Sequence, residues 1–134
     1  MQKNPTAILV VAAALIDQQG RVLMHQRRHG EAEGGLWEFP GGKVDPAETP
    51  ESALVRELAE ELGITVDPAD LAWLARAELP GNPYVLNLYT CRRWQGAPRC
   101  LVGAGLAWTH AEALPDLPMP PLDVPLAKAL QKVI

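Results

Sequence analysis

The sequence predicts one layered α/β domain, and three observations carry that expectation. Short apolar runs bounded by Gly and Pro alternate with helix-like stretches. One of those stretches repeats leucine every fourth residue, at Leu54, Leu58 and Leu62, as a helix with one core-facing stripe would. The 134 residues are 48% hydrophobic and 21% charged, enough apolar material for one core and too short a chain for a second.

The first apolar run, Ala7 to Ile16, is ten residues long, against the roughly 20 needed to span a bilayer. It has no charged start and no small-residue cleavage signal, so it reads as a buried strand rather than a membrane segment or leader. Gln18-Gln19-Gly20 supplies a turn before a second strand, Arg21 to Gln26, and the two are expected to pair as a hairpin. Gly30, Gly34 and Gly35 mark a loop leading to a short strand, Leu36-Trp37-Glu38-Phe39, which Pro40-Gly41-Gly42 should stop. Between Pro50 and Leu62 the leucine stripe is framed by Thr49 as a cap, Pro50 at the first helical position and Gly63 placed to end the helix in a left-handed conformation.

Leu71 to Leu79 and Tyr84 to Trp94 read as strands around the turn Pro80-Gly81-Asn82-Pro83, and Leu106 to Thr109 as a short one. Trp73, Trp94 and Trp108 lie in these segments, where packing is the expected role. A brief helix is expected near Ala111 to Leu114. Five prolines between Pro115 and Pro125 then make a stiff loop, and apolar spacing from Leu126 to Val133 predicts a last helix. No internal repeat is present.

Sixteen acidic against twelve basic residues, a net charge of −4, leave no basic field for gripping a long nucleic acid through many phosphates. A small anionic ligand is compatible with this charge when a metal accompanies it. The two cysteines, Cys91 and Cys100, form no metal-ligand pattern and no disulfide framework, so a reducing cytoplasm is the expected compartment. His25, His29 and His110 lack the paired spacing of a zinc site. Monomer and dimer both remain open.

Charge gathers on the leucine helix. Residues three and four apart share a helix face, so Glu57 lies beside both Glu60 and Glu61, and Arg56 is the only base between Glu48 and Glu61. Each like-charge pair costs a helix about 0.2–0.5 kcal/mol. A divalent cation would offset that repulsion, and hard Mg2+ or Mn2+ prefers oxygen ligands while keeping positions for water and phosphate. A solvated acidic face is the competing reading, and these side chains alone do not decide between the two.

The wider pattern does. Gly42, five residues, Glu48, seven residues and then Arg56-Glu57-Leu58-Ala59-Glu60-Glu61-Leu62-Gly63-Ile64 resembles the Nudix box at every defined position, nine of them across residues 42–64. The resemblance implies a Nudix fold over residues 1–134, a mixed β-sheet sandwiched between helices, with the box forming loop, helix and loop. It also implies hydrolysis of nucleoside diphosphate derivatives with Mg2+, or Mn2+ in its place. Glu57, Glu60 and Glu61 correspond to acids that bind metal or activate water, and the Gly41 carbonyl to a further ligand. Glu57 is the first choice of proton acceptor, while Arg56 and Glu48 support the acids. Lys43, after Gly41-Gly42, corresponds to a position that can touch phosphate, or is simply solvated.

Leu36-Trp37-Glu38-Phe39-Pro40-Gly41-Gly42-Lys43, Arg93-Trp94-Gln95-Gly96 and the Pro-rich approach to the last helix extend the likeness to the mutator-protein (MutT) branch. That branch cleaves nucleoside triphosphates, notably 8-oxo-dGTP, to the monophosphate and pyrophosphate. It implies that Arg27, Glu38, Phe39 and Gly42 line the substrate site, although Phe39 can equally be core and Arg27 surface charge. Two departures stand out. Where the branch commonly carries Glu-Gly-Gln, this chain has Val102-Gly103-Ala104, so one acid is missing: the helix carboxylates alone constitute the metal site with slower catalysis, or another acid such as Asp116 replaces it, or the protein is a weakly catalytic nucleotide-binding module. At the base-reading position stands Asp123, an acid also found in the similar cytidine triphosphate pyrophosphohydrolases. Asp123 would accept hydrogen bonds from a base, or cap the last helix, or both.

Overall fold

The computed structural model describes residues 7–134. Seven strands run as β1 (Ile8–Leu15), β2 (Arg21–Gln26), β3 (Trp37–Glu38), β4 (Gly41–Lys43), β5 (Leu71–Ala77), β6 (Tyr84–Cys91) and β7 (Gly105–His110). Two α-helices, α1 (Pro50–Leu62) and α2 (Asp123–Gln131), and two short 3-10 segments, Pro68–Asp70 and Ala111–Asp116, complete the elements of the described residues.

Strand β1 dictates the arrangement because both its faces are apolar. Val11, Ala13 and Leu15 pack with Ala53, Leu54, Leu58 and Leu62 of α1. Ala12 and Ala14, with Ile16 just beyond the strand, pack on the opposite side with Leu114, Leu122, Leu126 and Leu130. A strand buried on two faces is stable in a sheet interior, where both edges are paired. It lies between β4, antiparallel, and β6, parallel, in a four-stranded sheet ordered β4-β1-β6-β5. Strands β3, β2 and β7 form a second, antiparallel sheet. The result is a mixed α/β architecture with helices on opposite faces.

This corrects the expected β1–β2 hairpin. The turn forms, held by the Asp17 carboxylate, which accepts from the backbone N–H groups of Gln19 (3.0 Å) and Arg21 (2.8 Å). The ladder does not extend beyond the single bridge Ile16–Val22, because β4 and β6 occupy the edges of β1 and β2 pairs with β3 and β7. The short strand does end before Pro40, at Glu38, but Gly41 and Gly42 are more than a stop; with Lys43 they form a strand of their own, β4, at the sheet edge. The packing expected of the three tryptophans holds for two of them: Trp73 is 59% exposed, its indole N–H donating to Asn87, whereas Trp94 stacks on Trp108 at 6.1 Å.

Helix α1 spans the expected residues. Thr49 and Ser52 cap it reciprocally, each side-chain oxygen accepting the other's backbone N–H at 3.1 Å, and Gly63 closes it at φ 69°. Helix α2 begins at Asp123, three residues before the apolar spacing starts, with Pro125 in its first turn. The Asp123 side chain makes no capping bond there.

Candidate active site

The edge strand β4 brings the acids of α1 to a defined place. In its ladder with β1, Val11 faces Gly42 and Ala12 faces Gly41. The Pro40 carbonyl and the Val44 N–H bond β1, which assigns the ladder bonds to alternate residues and turns the N–H and carbonyl of Gly41 away from it. The Gly41 N–H instead donates to Glu61 Oε1 at 3.1 Å. One residue on, a Cβ on Gly42 would stand 2.4 Å from Glu57 Cδ, so only glycine lets that carboxylate lie against the strand.

Arg56 organises the rest. Its guanidinium grips Glu48 through two bonds of 2.8 Å and reaches Glu57 at 3.0 Å, Glu60 at 3.4 Å and the Lys43 carbonyl at 3.3 Å. Glu48 also accepts the Asp45 N–H, joining the loop to the helix. These contacts with Arg56 hold the Glu48 carboxyl down at about 2, the ordinary sense for a paired acid. Glu61 is driven the other way, to about 8, first by burial and then by the charge of Glu57. Burial likewise raises Glu57, against the pull of Arg56.

Among the described residues no three acid, histidine or cysteine side chains enclose a cation by themselves, since Glu57 and Glu60 turn toward Arg56 and Glu61 toward Gly41. The donors nevertheless fit a hard divalent cation: all are oxygens, Glu61 is an acid kept from ionising by burial beside like charge, and the Gly41 carbonyl is turned away from the ladder.

On the α2 side of β4 a cleft of about 550 Å³ opens, within the size range of small-molecule sites. Gly41, Gly42 and Lys43 form one border, Phe39, Leu86 and Leu122 an apolar wall, and Arg27, Glu38 and Asp123 its polar groups. Phe39 is both wall and core, at 3% exposure. Arg27 is not free surface charge but pairs with Glu38 at 2.9 Å. Asp123 is buried, and its Oδ2 accepts the Phe39 N–H at 3.0 Å. Burial pushes its carboxyl up to about 7, so near neutral pH it exists both as an acceptor-only carboxylate and as an acid able to donate.

A smaller recess of about 230 Å³ adjoins Glu61 and is lined also by Gly41, Glu38, His25 and Val102. Val102 therefore stands beside Glu61, at the place where the resemblance implies a further carboxylate. The loop carrying it is fastened to α1 by the Leu101 N–H on the Glu61 carbonyl (3.0 Å) and to β2 by the Ala104 N–H on the Gln26 carbonyl (2.9 Å). His25 contacts the Val102 carbonyl through Nε2. Asp116 ends the second 3-10 segment, exposed, and lines neither space, so it does not replace the missing acid. Sequence reasoning missed Tyr84 and Asn82 on the cleft border and His25 in the recess; all three depend on strand register, which no local motif announces.

Acids on one helix, a glycine edge strand and a cleft bordered by it bring oxygen donors beside a small-molecule space, an arrangement suited to phosphate-bearing ligands. The chain matches the NUDIX domain over residues 6–130, and it belongs to the Nudix hydrolase family. It is 35% identical over 122 residues to a CTP pyrophosphohydrolase of Escherichia coli, covering 91% of this chain and 90% of that one. It is 37% identical over 124 residues to an 8-oxo-dGTP diphosphatase of Haemophilus influenzae, covering 92% and 91%. Among solved structures, the Escherichia coli ORF135 protein superposes with a TM-score of 0.82 at 34% identity, over 98% of this chain and 95% of the other. A MutT structure from work on Aliivibrio salmonicida and Vibrio cholerae gives 0.84 at 27% identity, over 96% and 99%. Nudix hydrolases use a divalent metal and act on small nucleotide substrates, and no described helix is long and apolar enough to cross a membrane.

Proposed function

We propose that this protein is a Mg2+-dependent nucleoside triphosphate pyrophosphohydrolase acting most readily on 8-oxo-dGTP, releasing the monophosphate and pyrophosphate. The observation that carries the reading is the shared border: Gly41 and Gly42 touch Glu61 and Glu57 on one side and line the cleft on the other. A nucleotide with its base in the cleft thereby has its phosphates at the acids. Glu57, Glu60, Glu61 and the Gly41 carbonyl would hold the metal, which when bound offsets phosphate charge and acidifies water. Glu57 accepts the proton of the attacking water, Arg56 orients Glu57 and Glu60, and Glu48 holds Arg56. Arg27, Glu38, Phe39 and Asp123 receive the nucleoside, and Lys43 faces its phosphates. One Nudix domain over residues 1–134, working in a reducing cytoplasm, is part of the same reading.

Cytidine nucleotides are the second reading, favoured by the buried Asp123, whose carboxylate can accept the cytosine amino group, and by the CTP pyrophosphohydrolase relative. Pyrophosphate release with Mg2+ gives kcat/KM for 8-oxo-dGTP, dGTP, CTP and 5-methyl-dCTP. Preference for 8-oxo-dGTP supports the first reading; preference for the cytidine compounds replaces it with the second. Nucleotide binding without turnover on this panel, with Mn2+ also tried, would leave a binding module, as Val102 beside the acids allows. Glu57→Gln and Glu61→Gln should each remove most activity with the fold intact, and full activity in both would reject the site assignment.

A further inference from the structure

Tyr84 lines the cleft from β6, beside a lysine that has crossed a strand to meet it. In the four-stranded sheet Lys43 stands next to Val10, and Val10 next to Leu86, two residues along β6 from Tyr84. The Lys43 ammonium lies 5.9 Å from the centroid of the Tyr84 ring. To reach it the side chain must pass from the edge strand β4 over β1. No carboxylate pairs with Lys43 among the described residues, whereas the negative face of a tyrosine ring attracts an ammonium at this distance. Tyr84 thus fixes the position of a cation whose long chain would otherwise sample many rotamers.

That position is on the path of a bound nucleotide. With the base toward Asp123 and the phosphates toward Glu57 and Glu61, the connecting sugar and first phosphate pass the β4 border that carries Lys43. We propose that Tyr84 is a positioning residue for substrate selection: its ring holds the Lys43 ammonium over the cleft border, so that phosphorylated nucleosides are taken up in preference to free nucleosides. This rests on the nucleotide reading above and adds to it the residue that makes the first phosphate count. The ring, not the hydroxyl, does the holding, so phenylalanine should serve equally well.

Calorimetric titration in EDTA, which removes any contribution from metal or turnover, tests the inference with 8-oxo-dGMP against 8-oxo-deoxyguanosine and with CMP against cytidine. The wild type should bind each monophosphate more tightly than its nucleoside. Tyr84→Phe should keep that preference within about twofold, while Tyr84→Leu should weaken monophosphate binding about three- to tenfold and nucleoside binding less than twofold. Lys43→Met should reproduce the Tyr84→Leu loss, and the double variant should add nothing to it. Equal weakening of nucleoside and monophosphate in Tyr84→Leu would show a packing role and overturn the proposal, as would a Phe variant as impaired as the Leu variant, or no change in either. If the wild type binds none of the four ligands and hydrolyses no nucleotide, the nucleotide reading itself fails and takes this inference with it. Unchanged ratios in an active enzyme strike the inference alone.

Discussion

Replacing Asp123 by Asn should stabilise the protein, and by an amount that depends on pH in one direction only. The carboxyl is 5% exposed and its pKa rises from 3.8 to about 7 on folding, chiefly through burial. Between those values the folded chain keeps a proton that the unfolded chain has released, so the stability Asp123 contributes is full below pH 3.8 and is lost as pH rises to about 7. At about 1.4 kcal/mol per pKa unit, the shift of about three units sets an upper bound near 4 kcal/mol. Asn offers one acceptor for the Phe39 N–H and one donor group, as the protonated acid does, but never ionises. Urea unfolding of both proteins at pH 5, 6, 7 and 8 in EDTA, extrapolated to water, measures the difference while largely cancelling the titration of other groups. The advantage of the Asn variant should grow by up to about 1.4 kcal/mol per unit between pH 5 and 7 and level off above. A difference that stays flat across the range would refute the burial argument.

Three further outcomes follow from the geometry. Gly42→Ala puts a methyl group 2.4 Å from Glu57 Cδ and must push that carboxylate off the strand; kcat with Mg2+ should fall about 10- to 100-fold while circular dichroism stays unchanged, and unimpaired turnover would contradict the placement. Because the Glu61 carboxyl is raised to about 8, Mn2+ must displace its proton at lower pH; paramagnetic resonance of free Mn2+ should show affinity weakening about tenfold per unit from pH 8 to pH 6, a slope that Glu61→Gln should flatten. Gly103 sits at φ 99°, and a Cβ there would lie 2.4 Å from His25 Nε2, so Gly103→Ala should cost about 1–3 kcal/mol in denaturant unfolding; unaltered stability would mean that the loop is not fastened to β2 as described.

What the sequence makes legible is what local spacing encodes. Helix α1, its Thr49 cap and its Gly63 terminus depend on neighbours within a few residues, and the structure places them as expected. That the acids of α1 share a site with Gly41 is what the box resemblance implies, whereas the reason Gly42 must lack a side chain emerges only from its 2.4 Å approach to Glu57. The hairpin expectation failed because a turn specifies that two segments are adjacent, not which edges they use; β1, apolar on both faces, took its partners from residues 41–43 and 84–91. Trp73 misled because residue type predicts burial only on average, and its face of β5 is open. The sequence singles out Asp123 as an acid that would face a base or cap the last helix, but its bond to the Phe39 N–H, which joins residues 84 apart in sequence, is not legible there. Tyr84 belongs to the same class: its meeting with Lys43 exists only once a parallel register is set.

The edge strand β4 of the larger sheet separates two kinds of evolutionary freedom. On the proposed reading, substitutions in β6, the Pro-rich loop before α2 or the start of α2 would alter which heterocycle is admitted without moving the carboxylates, which hang from a different helix on the other side. A CTP pyrophosphohydrolase and an 8-oxo-dGTP diphosphatase standing at 35% and 37% identity to one chain are compatible with such drift. Gly41 and Gly42 enjoy no such latitude, because each answers to both neighbours at once.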